Sequence, residues 1–125
     1  MLTVDFEYFD LRPGDVCVDL GCGEGRHSLT AYLQEDVTLI GLDLSHQDLK
    51  TAQSRIADMA SYNPKGSVYF AQANGLSLPL ADHSVDRLIC SEVLEHIPNY
   101  IGFLEEIDRV LKPDGRLCIL SLIHI

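Results

Sequence analysis

Basic residues are scarce in this chain: 9 Lys and Arg stand against 19 Asp and Glu in 125 residues, a formal net charge of −10. Binding a phosphate backbone needs clustered Lys and Arg to release counterions, so nucleic acid is not expected as a partner. No apolar run approaches the roughly 20 residues that cross a bilayer, which argues against a membrane span. The first residues, Met1 to Glu7, are acidic and lack the basic start and long apolar core of a signal peptide. The four cysteines, Cys17, Cys22, Cys90 and Cys118, form no C-x-x-C pair, which disfavours a zinc knuckle, a redox dithiol or any metal site. Buried apolar thiols in a reducing compartment account for them better. No linker, repeat or low-complexity tract divides the chain. The expectation is a single cytoplasmic domain, residues 1–125, that buries about two-thirds of its unfolded surface.

What is present begins with Val18-Asp19-Leu20-Gly21-Cys22-Gly23-Glu24-Gly25-Arg26-His27, where an apolar strand runs into a glycine turn that opens a helix. A G-x-G-x-x-G fingerprint sets a pyrophosphate against bare amides at the helix N-terminus and wants a third glycine for close packing. Counted from Gly21, that position is Arg26. Asp19 and Glu24 would also face the pyrophosphate, and such like charges repel by several kcal/mol at an effective dielectric of about 20. A cationic ligand suits the two acids better. The segment resembles the glycine-rich motif of class I S-adenosylmethionine-dependent methyltransferases, an acid, one residue, then G-x-G-x-G, matched by Asp19, Gly21, Gly23 and Gly25. A merely structural turn is the alternative at this point.

Downstream, Val37 to Leu42 is apolar and β-branched enough for a buried parallel strand, and it ends on Asp43, 20 residues past Gly23. At that distance a Rossmann-like second strand presents an acid to ribose hydroxyls. Ser45 followed by Asp48 has capping-box spacing, which would leave Asp43 free for a ligand, and Leu49, Ala52, Ile56 and Met59 recur at helical spacing. A third strand reads at Ser67 to Gln72. The resemblance extends here: Asp43 matches the family's ribose-binding acid, Leu44 the side chain flanking the adenine, and Asn74 stands where the family commonly has an aspartate that accepts from the adenine amino group. An amide oxygen still accepts that proton but forgoes the charge-assisted part of the bond, about 1 kcal/mol. Asn74-Gly75 is equally a strong turn dipeptide in its own right.

Ser84 to Pro98 reads as a fourth strand delivering Ser91 and Glu92 to the mouth of the site, because ligands of doubly wound sheets sit at the carboxyl ends of the strands. His96 is the histidine nearest that mouth and a candidate proton acceptor, although a histidine in such a turn more often bonds backbone groups. Ile101, Leu104, Ile107 or Asp108, and Leu111 trace a further helix that stops at Lys112-Pro113-Asp114-Gly115, and a fifth strand follows from Arg116 to about Leu122. The wording Cys90-Ser91-Glu92-Val93-Leu94-Glu95-His96-Ile97 and the run Leu104 to Leu117 resemble the methyltransferase type 11 group. From about Asp10 to Cys118 the chain is similar to it.

The resemblance implies a Rossmann-like three-layer α/β/α core with a parallel sheet of order 3-2-1-4-5, lacking the last two strands that such enzymes carry. It also implies S-adenosylmethionine as cofactor, held by Asp19, Gly21, Cys22, Gly23, Asp43, Leu44, Asn74, Gly75 and Ser91. Methyl transfer to a small molecule is the function it points to. Such transfer is a direct displacement that demands alignment, desolvation and sometimes one base. A catalytically silent cofactor-binding module, dimerising or regulatory, is the alternative, which the missing strands favour; the fifth strand, Leu117 to Ile123, would form an apolar edge without a blunting charge or proline. A second copy of the chain is expected to cover that edge, giving a homodimer.

Overall fold

The computed structural model describes residues 4–91 and 97–120. A five-stranded parallel sheet of order β3-β2-β1-β4-β5 is built from β1 (Val16–Leu20), β2 (Thr38–Asp43), β3 (Ser67–Gln72), β4 (Val85–Cys90) and β5 (Leu111–Ile119). The helices are α1 (Phe6–Phe9), α2 (Arg26–Gln34), α3 (His46–Arg55) and α4 (Tyr100–Val110). The expected order 3-2-1-4-5 is the one found.

The three inner strands read as near-continuous apolar runs because both faces of the sheet are covered. On one face Val18, Leu20, Leu42, Leu88 and Cys90 pack against Phe103, Ile107 and Val110 of α4. On the other, Cys17, Leu39 and Ile89 pack against Phe9 of α1 and Ala31 of α2. Strand alternation puts Asp19 on the same face as Cys17, beneath α2. Each fully buried Leu or Ile here contributes roughly 1.5–3 kcal/mol.

Three local expectations need correction. The helical spacing through Ile56 and Met59 does not prolong α3; Ile56–Tyr62 is a 3-10 helix, and only Leu49 and Ala52 of that series are buried. The buried stripe of α4 is Phe103, Ile107 and Val110; of the expected series Ile101, Leu104, Ile107 or Asp108, and Leu111, only Ile107 is buried, and Ile101 is exposed. Finally, β5 begins at Leu111 and not at Arg116. The turn residues still interrupt the ladder: Leu111 pairs with Val85 and Arg116 with Arg87, so Lys112 to Gly115 stand opposite Asp86 alone. Pro113, which cannot donate to a ladder, is tolerated at this irregularity on an edge strand. Lys112 Nζ donates to Asp86 Oδ1 at 2.8 Å and closes the gap. The expected end of the strand, residues 121–125, lies outside the described residues.

Candidate cofactor site

The glycine turn joins the carboxyl end of β1 to α2, with Gly21, Gly23 and Gly25 all at positive φ (76°, 54° and 87°). Gly25 is closely hemmed in: a Cβ there would lie 3.0 Å from Ala52 Cβ and 3.2 Å from the Phe70 ring. Four amides of the turn, those of Gly21, Cys22, Gly23 and Gly25, are spent inside the fold. Those of Gly21 and Cys22 donate to Leu42 O at 2.7 and 3.0 Å, and that of Gly23 donates to Asp43 Oδ2 at 2.8 Å. A phosphate needs such amides pointing at it, so the turn is a poor anion cradle. Pyrophosphate is thus disfavoured on new ground, but Glu24 has no part in it, because that side chain turns outward to Arg55 Nη2 at 3.0 Å.

Asp43 is not left free, as the spacing of Ser45 and Asp48 suggests it would be. Ser45 Oγ does accept from the Asp48 amide at 3.2 Å, but the Ser45 amide donates to Asp43 Oδ1 at 2.8 Å. Asp43 thus takes the place of the reciprocal half of the capping box and braces the glycine turn as well. Each oxygen keeps a second lone pair, since an ionised carboxylate offers about four acceptor sites.

Between these strand ends lies a cleft of about 230 Å³ lined by Leu20, Gly21, Leu42, Asp43, Leu44, Ala73, Asn74, Gly75, Leu76, Ile97, Pro98 and Phe103. Of the residues singled out in the sequence, Gly21, Asp43, Leu44, Asn74 and Gly75 meet there. Cys22, Gly23, Asp19 and Ser91 do not line it. Cys22 is buried, and burial pushes its thiol well above the ordinary range. Asn74 serves its turn too, its Oδ1 accepting from the Leu76 amide at 2.9 Å and its carbonyl from the Ser77 amide at 3.0 Å. Phe103 of α4 packs so closely on Gly75 that a Cβ there would collide with the ring. Nothing in the sequence pattern marked Phe103 or Leu76, because their place in the cleft depends on how α4 and the loop after β3 fold over the strand ends. Glu92 and the candidate base His96 lie outside the described residues.

The loop from Leu76 to Asp82 is held against α4 by Arg109, which donates to the carbonyls of Leu78 and Leu80 and to Glu106 and Asp82. Glu106 also accepts from the Leu78 amide at 2.6 Å, and the Arg109 guanidinium, with that amide, lowers its pKa to about 2.

Asp19 lies in the protein interior. It is fully buried and accepts from Ser28 Oγ at 2.7 Å and Ser91 Oγ at 3.0 Å. Burial raises its pKa to about 6, against the opposing effect of those hydroxyls. Among the described residues neither Asp19 nor Asp43 has an ion-pair partner, and no group of His, Cys, Asp and Glu could hold a metal.

A family model described as a methyltransferase domain matches residues 18–119. The chain belongs to the type 11 group of class I methyltransferases. It is 31% identical over 118 residues to methyltransferase GfsG of Streptomyces halstedii, covering 94% of this chain and 41% of that protein. It is 33% identical over 112 residues to the 2-phytyl-1,4-naphtoquinone methyltransferase of Nostoc sp., covering 88% and 48%. The fold matches that of a SAM-dependent methyltransferase from Methanosarcina mazei with a TM-score of 0.82 at 24% identity, covering 94% of this chain and 57% of that one. The methyltransferase domain thus spans less than half the length of the curated relatives named here. S-adenosylmethionine is the cofactor of the family, and the cleft suits it. It is apolar on most sides, which an adenine ring needs, and carries the Asp43 carboxylate with lone pairs to spare for ribose hydroxyls. Its uncompensated negative charge favours a ligand bearing a sulfonium and an ammonium.

Proposed function

We propose that the domain binds S-adenosylmethionine in the cleft at the ends of β1 and β2 and transfers its methyl group to a small-molecule acceptor. The observation that carries this reading is the pairing of the Asp43 carboxylate with the glycine turn. One acid fixes the turn through the Gly23 amide and still faces the cleft. In this reading Gly21, Cys22 and Gly23 let the backbone approach the methionine part, Asp43 holds the ribose, Leu44 covers the adenine, and Asn74 with the Gly75 amide reads its edge. Asp19 and Ser91 support the site from behind. The bound cofactor supplies an electrophilic methyl on sulfur. This chain's part is to align, desolvate and exclude water. Small-molecule acceptors are favoured by the relative named as a 2-phytyl-1,4-naphtoquinone methyltransferase and by the acidity of the chain. Cysteines that form no disulfide among the described residues suit a cytoplasmic, reducing setting.

The test is calorimetric titration with S-adenosylhomocysteine, with NAD as control, on the wild type and on Asp43→Ala. Saturable heat with the first ligand alone, weakened at least tenfold by the substitution, about 1.4 kcal/mol, supports the reading. Folded protein that takes up neither ligand overturns it.

A second reading rests on the edge of the sheet. Among the described residues β5 pairs with β4 alone, Leu117 and Ile119 are about 40% exposed, and an open hollow of about 880 Å³ runs beside it between α1 and Arg116. In this reading a second copy of the chain covers β5, forming a homodimer, and the domain acts as a cofactor-binding regulatory module without catalysis. Ligand binding without methyl transfer, from a species that sediments as a dimer, favours it. Transfer by a monomer rules it out.

A further inference from the structure

The N-terminus of α2 has no cap of its own. Its N-cap is Gly25, which has no side chain to offer, and the first turn of the helix contains no acid. Helix N-termini leave four backbone donors without intrahelical partners and favour negative charge nearby. Here a negative charge and a partner for one of those donors come from another element: Asp19 of β1 accepts from the Ser28 hydroxyl and from the Ser28 backbone amide, in the first turn of α2. Its other oxygen accepts from the hydroxyl of Ser91, the residue that follows β4, whose amide in turn donates to Leu20 O at 2.9 Å. One carboxylate therefore ties together the helix that closes the glycine turn, the strand that enters it, and the end of the neighbouring strand. It does so in the interior, where none of its atoms reaches the cleft.

We infer that Asp19 is a positioning residue which, in its ionised form, locks the glycine turn and the end of β4 into one binding-competent arrangement, so that cofactor affinity follows the ionisation of this carboxylate. The inference rests on the proposed cofactor site. Protonation turns one acceptor oxygen into a donor, so one of the two serine hydroxyls must rotate or lose its bond, and the charge that complements the α2 dipole disappears. Burial brings the transition close to pH 6, within a range in which a folded protein is easily studied. The groups that share its surroundings are Asp43 of β2, whose charge opposes ionisation, the Cys17 and Cys22 thiols, which feel its charge, and Arg26 and His27 in the first turn of α2. Arg87 of β4 acts on Cys17 from the other side.

The experiment is titration of S-adenosylhomocysteine and of S-adenosylmethionine between pH 7.5 and pH 5, on the wild type and on Asp19→Asn, with circular dichroism to show that each sample is folded. When only one form binds, the apparent dissociation constant rises as the competent fraction falls. Both ligands are expected to weaken in parallel, by about tenfold at one unit below the midpoint, and Asp19→Asn is expected to abolish the pH dependence. A carboxyl-carbon NMR titration should show the Asp19 midpoint moving down when S-adenosylhomocysteine saturates the protein, as linkage requires. A pH dependence that survives Asp19→Asn overturns the inference by assigning it to another group. A loss confined to the sulfonium ligand overturns it too, because that is direct charge attraction and not positioning. Affinities independent of pH in the wild type overturn it while leaving the cofactor site intact. Absence of binding at pH 7.5 overturns the site itself.

Discussion

The carboxyl ends of β1 and β2 and the edge of β5 treat their backbone groups in opposite ways. At the first, the amides of Gly21, Cys22, Gly23 and Ser45 are each matched to a carbonyl or to Asp43, in a turn where three glycines adopt conformations other residues resist. At the second, β5 is bonded on one side only among the described residues, its ladder is interrupted at Lys112 to Gly115, and its outward apolar side chains are about 40% exposed. Satisfied polar groups in confined space rigidify a region and make it intolerant of change, whereas an unpaired edge tolerates substitution and invites association.

The sharpest way to break the comparison is at Gly75. In Gly75→Val the new side chain enters the space of the Phe103 ring, and overpacking of this kind costs about 1–3 kcal/mol in stability. The cleft also narrows, so S-adenosylhomocysteine affinity should fall more than tenfold, about 1.4 kcal/mol, in the same calorimetric assay. Unchanged affinity would remove this cleft from consideration.

Next comes the interior charge. The Asp19 pKa is raised above its ordinary 3.8 to about 6, so the native state binds more protons than the unfolded chain between those values. Stability drawn from this group is therefore greatest below pH 3.8, falls as pH rises to about 6, and stays low above it. The cost at neutral pH is on the order of 3 kcal/mol at most. Asp19→Asn, which keeps the shape, should then unfold at higher denaturant concentration than the wild type at pH 7.5, with the difference vanishing near pH 4. An Asp19→Asn variant less stable than the wild type at neutral pH would show that the serine bonds outweigh the burial of charge.

The smallest effect on the fold belongs to the edge. Leu117→Lys should change unfolding free energy by no more than about 0.5 kcal/mol, since the side chain is already partly in water. If two copies meet along β5, the same substitution should convert a dimer to a monomer in sedimentation. An equal loss of stability at Leu117 and Gly75 would erase the distinction between the two regions.

Much of this was legible in the residues themselves. The third strand reads from Ser67 to Gln72 because Asn63, Pro64 and Gly66 punctuate its start, and the sheet order is the one the resemblance to the methyltransferase family implies. Local chemistry misled where one group served two masters. Ser45 caps α3 as its spacing suggests, yet the reciprocal bond comes from Asp43, a partner no capping rule names. The motif acid Asp19 looks like a ligand by its position beside the glycines, but strand alternation turns it under α2. The phase of α4 was only partly legible, because Ile107 belongs to two apolar series, and only the sheet beneath decides that Phe103 and Val110, and not Ile101, are buried with it. At β5, Pro113 and Gly115 do break the ladder, but the chain resumes the same strand on the far side.

The join between α4 and β5 has a mechanical meaning. Val110 ends the helix and Leu111 begins the strand, so no connecting loop separates them. Seven residues before that join, Phe103 forms part of the cleft against Gly75; six residues after it, Leu117 stands at the open rim of the sheet. Between cleft and rim the chain therefore has one give, the break at Lys112 to Gly115, and a single bond from Lys112 to Asp86 pins it to the neighbouring strand.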